Sequence, residues 1–507
     1  MKIMIKNMKW LLLISLTMIA CNDDDDAVVN NTSDGLPLTA GTADFSKYVA
    51  LGDSFAAGFS DNALFMEGQK NAYPNVIAAQ MALVGGGEFN TPFMADNIGG
   101  FSSGGVQIPQ FGPRLWFNVP TQTPTPVSGI SGTDISTHLT GSFNNYGIPG
   151  AKATHLGFAG YATANPYFGR MASSASATVV GDAIAQNPTF FSLWIGGNDV
   201  LGYATSGGDG SNPITPTATF DAAYNALVTQ LAAGGRKGVI ANLPYVNNLP
   251  FFTTVPTNPI PALPAANATQ LNQLFGAINQ ITGAMSMPNR FSVLTADDGN
   301  PATTEATNPL LIFDESLPNL SAQITAVLTP VLGAPTATYV GTLYGRARHA
   351  SKAPASRDFI LLTSRAIIGT TQTGAPAPFN VIGVSNPMQD GRVLTAAEAL
   401  EVKTATDSYN VTIQTAATAN SLAFVDTKTI LDQLGTSTGI SVNNFTLTST
   451  FVTGGTFSLD GVHPSPRGYA FIANKFLEAI NTAYGSNFKG VNVGNYRILY
   501  PQDPAQF

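Results

Sequence analysis

Ser54, His463 and Asp460 are the residues whose types and spacing could do nucleophilic chemistry. Ser54 stands in Gly52-Asp-Ser-Phe55, directly after the apolar run Tyr48-Val-Ala-Leu51, so its hydroxyl is presented where a strand runs into a helix. A serine hydroxyl is a poor nucleophile at neutral pH; it needs a base, a group that orients the base, and donors for the oxyanion. Four histidines could supply the base: His138, His155, His349 and His463. Only His463 has a carboxylate at a suggestive offset, in Asp460-Gly-Val-His463. Across such a turn Asp460 can reach the ring nitrogen that faces away from substrate, fixing the tautomer and stabilising the imidazolium. Taken alone, an Asp three residues before a His is a weak signal, for which a chance or structural pairing is the default.

The elements that must position these groups are legible around them. Lys47 to Leu51 is apolar, β-prone and bounded by Gly52, the pattern of a buried strand in a parallel sheet. Pro74 suits the first turn of a helix carrying Ile77, Met81 and Val84, which Gly85 to Gly87 end. Thr189 to Ile195 is a second strand, followed by Gly196-Gly-Asn-Asp199; Phe220, Tyr224, Leu227 and Leu231 then recur at helical spacing, and Val239 to Asn242 is the next strand. Thr395-x-x-Glu398 makes a capping box before a helix with Leu400 and Tyr409, Leu422 to Val425 a short strand, and Asp426 a cap for a helix ending at Gly435. Pro466 opens an amphipathic helix with Tyr469, Ile472, Ala473, Phe476 and Ile480 on one side. Strands alternating with helices predict a parallel α/β sheet.

Two stretches break the rhythm. At about 88–142, Pro, Gly and Thr are scattered among Phe89, Phe93, Leu115, Trp116 and Phe117, which reads as an insertion over the front of the site. At about 249–390 a helix near Leu271 to Met285, an apolar segment Pro309 to Phe313 and the charged Arg346 to Arg357 read as a second insertion, either a lid over an apolar substrate or a decorated edge of the sheet. The tail after Gly485 is expected to cover an edge.

Composition bounds the class. A chain of 507 residues with 44% hydrophobic, 11% charged, 50 Gly and 33 Pro is neither disordered nor coiled-coil, and its surface must be built from Thr, Ser, Asn and Gln. Lys2, Lys6 and Lys9 precede an apolar stretch from Trp10 to Ala20 that is too short to span a bilayer, so residues 1–20 read as a leader. Met18-Ile-Ala-Cys21 resembles a bacterial lipobox, in which the cysteine becomes the lipid attachment; Cys21 is the only cysteine, so no internal disulfide is available. Residues 21–42, with Asp23 to Asp26 and a Ser/Thr/Gly-rich stretch, read as a tether and resemble the export signal of surface-exposed lipoproteins in the Bacteroidetes group. The expected location is the outer membrane, facing the cell surface. Without the three leader lysines the net charge goes from −8 to −11, and no basic stripe exists, which disfavours nucleic acid as a partner.

Gly-Asp-Ser54-Phe, Asn145-Tyr-Gly-Ile-Pro-Gly150, Gly-Gly-Asn198-Asp and Asp460-x-x-His463, in that order, resemble the four sequence blocks of the SGNH hydrolases, the GDSL-type esterases and lipases. The resemblance covers the scaffold from about Phe45 to the last helix, without the insertions. It implies a three-layer α/β/α sandwich with a mostly parallel, flavodoxin-like sheet, one domain over 43–507. It implies Ser54 as nucleophile, His463 as base and then acid, Asp460 as its orienting group, and an oxyanion hole from the Ser54 and Gly150 backbone N–H groups and the Asn198 side chain. It implies hydrolysis of carboxylic esters through an acyl-serine, with no metal or organic cofactor. Phe55 departs from the family's Leu, a swap expected to alter packing behind the turn, and the interval from Asn198 to Asp460 is long for the family. Asp53 reads as a turn acceptor, Asn145 as a loop pin, Asp199 as a cap or anchor, and His155 as structural or pocket-lining. The substrate stays open between a lipid and an acylated glycan, and a non-catalytic glycan-binding lipoprotein is the alternative from another class.

Overall fold

The computed structural model describes residues 36–300 and 304–507. The leader, Cys21 and most of the tether lie outside the described residues. Five strands form one sheet, all parallel: β1 (Tyr48–Gly52), β2 (Asn145–Gly147), β3 (Phe190–Trp194), β4 (Lys237–Ala241) and β5 (Ala423–Val425). Their order is 2-1-3-4-5, with Ala50 beside both Asn145 and Ser192. β1 and β3 are buried at every position, which is why they read as continuous apolar runs instead of alternating ones.

Helices cover both faces, giving a three-layer α/β/α sandwich. In chain order these are α1 (Ser54–Ala57), α2 (Tyr73–Ala82), α3 (Val179–Ala185), α4 (Asn198–Thr205), α5 (Thr217–Leu231), α6 (Ala396–Ala419), α7 (Thr427–Leu434) and α8 (Pro466–Tyr484). α2 and α8 pack together on one face, joined by stacking of Tyr73 on Phe476 with centroids 4.7 Å apart. α3, α5 and α6 lie on the other, where Phe220 stacks on Tyr409 at 3.9 Å. Burying each such ring contributes about 1.5–3 kcal/mol. The capping box of α6 forms: Glu398 Oε2 accepts from Thr395 N at 2.7 Å. Val402, Thr406, Tyr409 and Ile413 face inward, and Leu400 is 62% exposed.

The first insertion carries two hairpins, Ser102–Ser103 with Val106–Gln107 and Leu115–Asn118 with Thr123–Pro126. It is organised around a buried arginine: Arg114 donates to the carbonyls of Asn97 at 2.8 Å and Pro501 at 2.7 Å. The tail therefore does not cover a sheet edge. It follows α8, through Asn474 and Val491, and ends against the first insertion, where Phe507 and Tyr500 flank the Arg114 guanidinium.

The second insertion has apolar clusters of its own. Phe275, Phe291, Tyr344 and Leu311 belong to one, Ile312, Ile360 and Met388 to another. Its attachments to the scaffold include Phe251 N donating to Gly461 O at 2.9 Å, Asp358 Oδ1 accepting from Ala396 N, at the start of α6, at 3.0 Å, and the pairing of Phe359 with Leu394. No helix among the described residues is long and apolar enough to cross a membrane.

Candidate active site

In a doubly wound sheet, ligands bind outside the carboxyl ends of the strands where the order reverses. Here the chain leaves β1 for β2 on one side and returns to β3 on the other, and the candidate residues follow those three strand ends. Ser54 follows β1 after Asp53, whose side chain caps α1 by accepting from Phe55 N at 3.0 Å. Gly147 ends β2 with its Cα so close to α1 that a Cβ would meet Ala57 N at 2.2 Å. Asn145 pins the same contact, donating to Ala56 O at 2.9 Å and accepting from Gly147 N at 2.9 Å. Gly150 has φ of +80° and nothing within 4 Å of where a Cβ would be, so its backbone borders open space.

The loop before α8 brings the base. His463 Nε2 lies 2.8 Å from Ser54 Oγ, and its Nδ1 lies 2.9 Å from Asp460 Oδ2. The other Asp460 oxygen accepts from Val462 N and His463 N, both at 2.8 Å. A carboxylate on Nδ1 places that proton there, leaving Nε2 to accept from the serine hydroxyl. Burial acts to raise the Asp460 carboxyl, but the His463 charge, the bond to its ring and the two backbone N–H groups outweigh it and hold the group below the ordinary carboxylate range. The arrangement can thus move a proton from Oγ to the imidazole while a fixed negative charge supports the imidazolium.

Asn198 opens α4 after β3. Its Nδ2 donates to Ala151 O at 3.0 Å, which spends one of the two amide hydrogens and fixes the side chain next to Gly150. Asp199 is the anchor of that junction, accepting from Ala153 N at 2.9 Å; burial, the largest influence, raises its carboxyl above the ordinary value. Asp53 is buried close to Gly197, and burial pushes its carboxyl up to about 7. Neither Ser54 N nor Gly150 N donates to an acceptor among the described residues.

A turn that the sequence reading passed over holds the whole loop. Asp61 and Asn62 both have positive φ, +50° and +66°. Asn62 N donates to Asp460 Oδ2 at 2.9 Å, Asp61 Oδ1 accepts from Leu459 N at 2.8 Å, and Asp61 N donates to Ser458 Oγ at 3.0 Å. Asp-Asn after Ser60 is a turn signature with a mechanism, since both side chains tolerate the left-handed region. Phe55 also departs from expectation. Its ring packs 5.0 Å from that of Trp194 and 5.4 Å from that of His463, so it touches the base as well as the core.

The remaining histidines stand apart from this chain of contacts. His138 Nε2 bonds Ala172 O, and His155 Nδ1 accepts from Lys152 N within its own helix turn, its ring stacked on Tyr161. His349 sits perpendicular to the stacked rings of Phe275 and Phe291 and accepts from Ser292 N, with burial lowering it to about 4. The fold brings oxygens of Asp297, Asp298 and Glu305 within 4.8 Å of one another in the second insertion, a surface acidic grouping of a kind common without an ion.

No protein-family model matches the chain, and no curated protein matches it. Among solved structures, the extracellular lipase from Streptomyces rimosus aligns over 86% of this chain and 98% of its own length, at 12% identity and a TM-score of 0.27. At that score the likeness carries no argument about the reaction.

Proposed function

We propose that this protein is a serine hydrolase that cleaves carboxylic esters through an acyl-serine on Ser54, as the four SGNH-like blocks imply. The observation that carries the reading is the continuous chain from Ser54 Oγ to His463 at 2.8 Å and from His463 to Asp460 at 2.9 Å, at the reversal point of the sheet. In the proposed reaction His463 takes the hydroxyl proton as Oγ attacks the ester carbon. The oxyanion is received by the N–H groups of Ser54 and Gly150 and by the Asn198 amide hydrogen not engaged with Ala151, each worth about 2.7–4 kcal/mol to the transition state. His463 then hands its proton to the leaving alcohol, and a water activated by the same ring releases the acid. No metal or organic cofactor enters these steps.

A second reading, deacetylation of an acylated glycan, is favoured by a cleft of about 790 Å³ with polar and apolar walls, bordered by Phe117, Gln122, Arg357, Arg365 and Thr450. A glycan-binding protein without activity is separated from both by labelling. A fluorophosphonate should label Ser54 and leave Ser54→Ala unlabelled, and p-nitrophenyl acetate should be hydrolysed only by the former. An unlabelled wild-type chain overturns the reading. We further propose that Cys21 carries lipid at the outer membrane; Cys21→Ser should shift the protein to the soluble fraction, and unchanged fractionation refutes the anchor.

A further inference from the structure

An almost wholly apolar cavity of about 70 Å³ adjoins the turn that carries Ser54 and the loop that carries His463. Its near wall is made by the neighbours of three candidate catalytic residues: Asp53 and Phe55 on either side of Ser54, Gly197 before Asn198, and Val462 and Pro464 on either side of His463. Its far wall is thin. Val425, Ile430 and Lys475 line both this cavity and a groove on the outer surface, so single side chains separate the two. The Lys475 ammonium is turned to Glu478 at 2.8 Å, and Ile430 and Ile472 are half-buried.

We propose that this cavity receives the acyl chain of the ester, closed at its far end by Ile430 and Lys475, and that the enzyme therefore selects short acyl groups. The inference rests on the ester-hydrolase reading above. An alcohol rich in hydroxyl groups would forfeit its hydrogen bonds in such a space, at a cost of several kcal/mol on the order of 2–7 per group. The alcohol must also depart while the acyl group stays bonded to Ser54, which suits an apolar space to the half that remains. A water needs about 10–15 Å³, so the cavity holds roughly five water-sized groups, an acyl chain of about four to six carbons.

The test is kcat/KM of the purified full chain on p-nitrophenyl acetate, butyrate, hexanoate, octanoate and palmitate. The wild type should favour butyrate or hexanoate over palmitate by at least about tenfold. Ile430→Ala and Lys475→Ala should raise the octanoate-to-hexanoate ratio, and Ile472→Trp should lower the hexanoate-to-acetate ratio, each by about tenfold, the discrimination one or two methylenes can give. Fluorophosphonate labelling of each variant reports that its site is folded. A wild type that prefers palmitate, or folded variants with the wild-type profile, overturns the cavity assignment while Ser54-dependent turnover stands. If Ser54→Ala hydrolyses every ester as fast as the wild type, the ester-hydrolase reading itself falls and takes this one with it. Should the substituted chains fail to label, the wild-type profile alone decides.

Discussion

The scaffold and the second insertion solve the problem of buried charge in opposite ways. At the strand ends, Asp460 is satisfied by one histidine ring and three backbone N–H groups, and the partner it holds remains free to give and take a proton. In the insertion, Arg348 is clamped by Asp314 at 2.6 Å and by both oxygens of Asp358, at 2.5 and 2.8 Å, and burial acting to lower the guanidinium is overcome by these bonds. The first arrangement leaves one polar atom available for chemistry; the second leaves none and acts as a fastener, since Asp358 also receives Ser351 N and the start of α6. Charge paired through backbone donors keeps a side chain usable, whereas charge paired with charge locks it.

Removing one member of each arrangement should separate the two roles. His463→Ala should lower ester turnover about 10⁴-fold or more, and Asp460→Asn by about 10²–10⁴-fold, with melting temperatures within a few degrees of wild type. A wild-type rate for Asp460→Asn, measured on p-nitrophenyl acetate, would assign the orientation of His463 to another group. Arg348→Met should do the reverse, destabilising the insertion by about 3–5 kcal/mol because two carboxylates are left buried without their partner. Hydrogen exchange should show faster opening of residues 311–360, while the rate of Ser54 labelling stays within about threefold; a labelling rate that falls with insertion stability would make the two regions one unit.

The smallest effect expected is on pH dependence. Burial pushes Asp61 up to about 7, from an ordinary value near 3.8. A raised carboxyl binds its proton more tightly folded than unfolded, so its stabilising contribution is complete at low pH and is lost as pH rises from about 4 to 7. Glu398 and Asp53 are displaced in the same direction, also to about 7 by burial. Asp61→Asn should remove part of that slope, of order 1–3 kcal/mol between pH 4.5 and 8 in denaturant melts. An unchanged slope would assign it to the other raised carboxyls, Asp53, Asp199, Asp390 and Glu398.

Local grammar carried most of the scaffold. A buried strand, its terminating glycine, a capping box and a proline-led helix are each set by neighbours in sequence, and four of the five strands and the helices around Ser54 and His463 could be read directly. β2 is three residues long and was visible only through the Asn145 to Gly150 block. What escaped was set by distant partners. Asp61 and Asn62 look like ordinary turn residues until Asp460 and Leu459, each 398 residues away, are brought to them. Arg114 gave no sign of being a core residue, because one of its acceptors is the carbonyl of Pro501 in the tail, 387 residues on.

The separation in sequence between the serine and its base, 409 residues, has a consequence for biosynthesis. A chain made from its amino end holds the hydroxyl within its first strand and helix but acquires the imidazole only with the loop before the final helix, which the Ser60 to Asn62 turn then clasps. The proposed enzyme is therefore silent as a nascent or truncated chain, and becomes competent only when its two extremities have found each other.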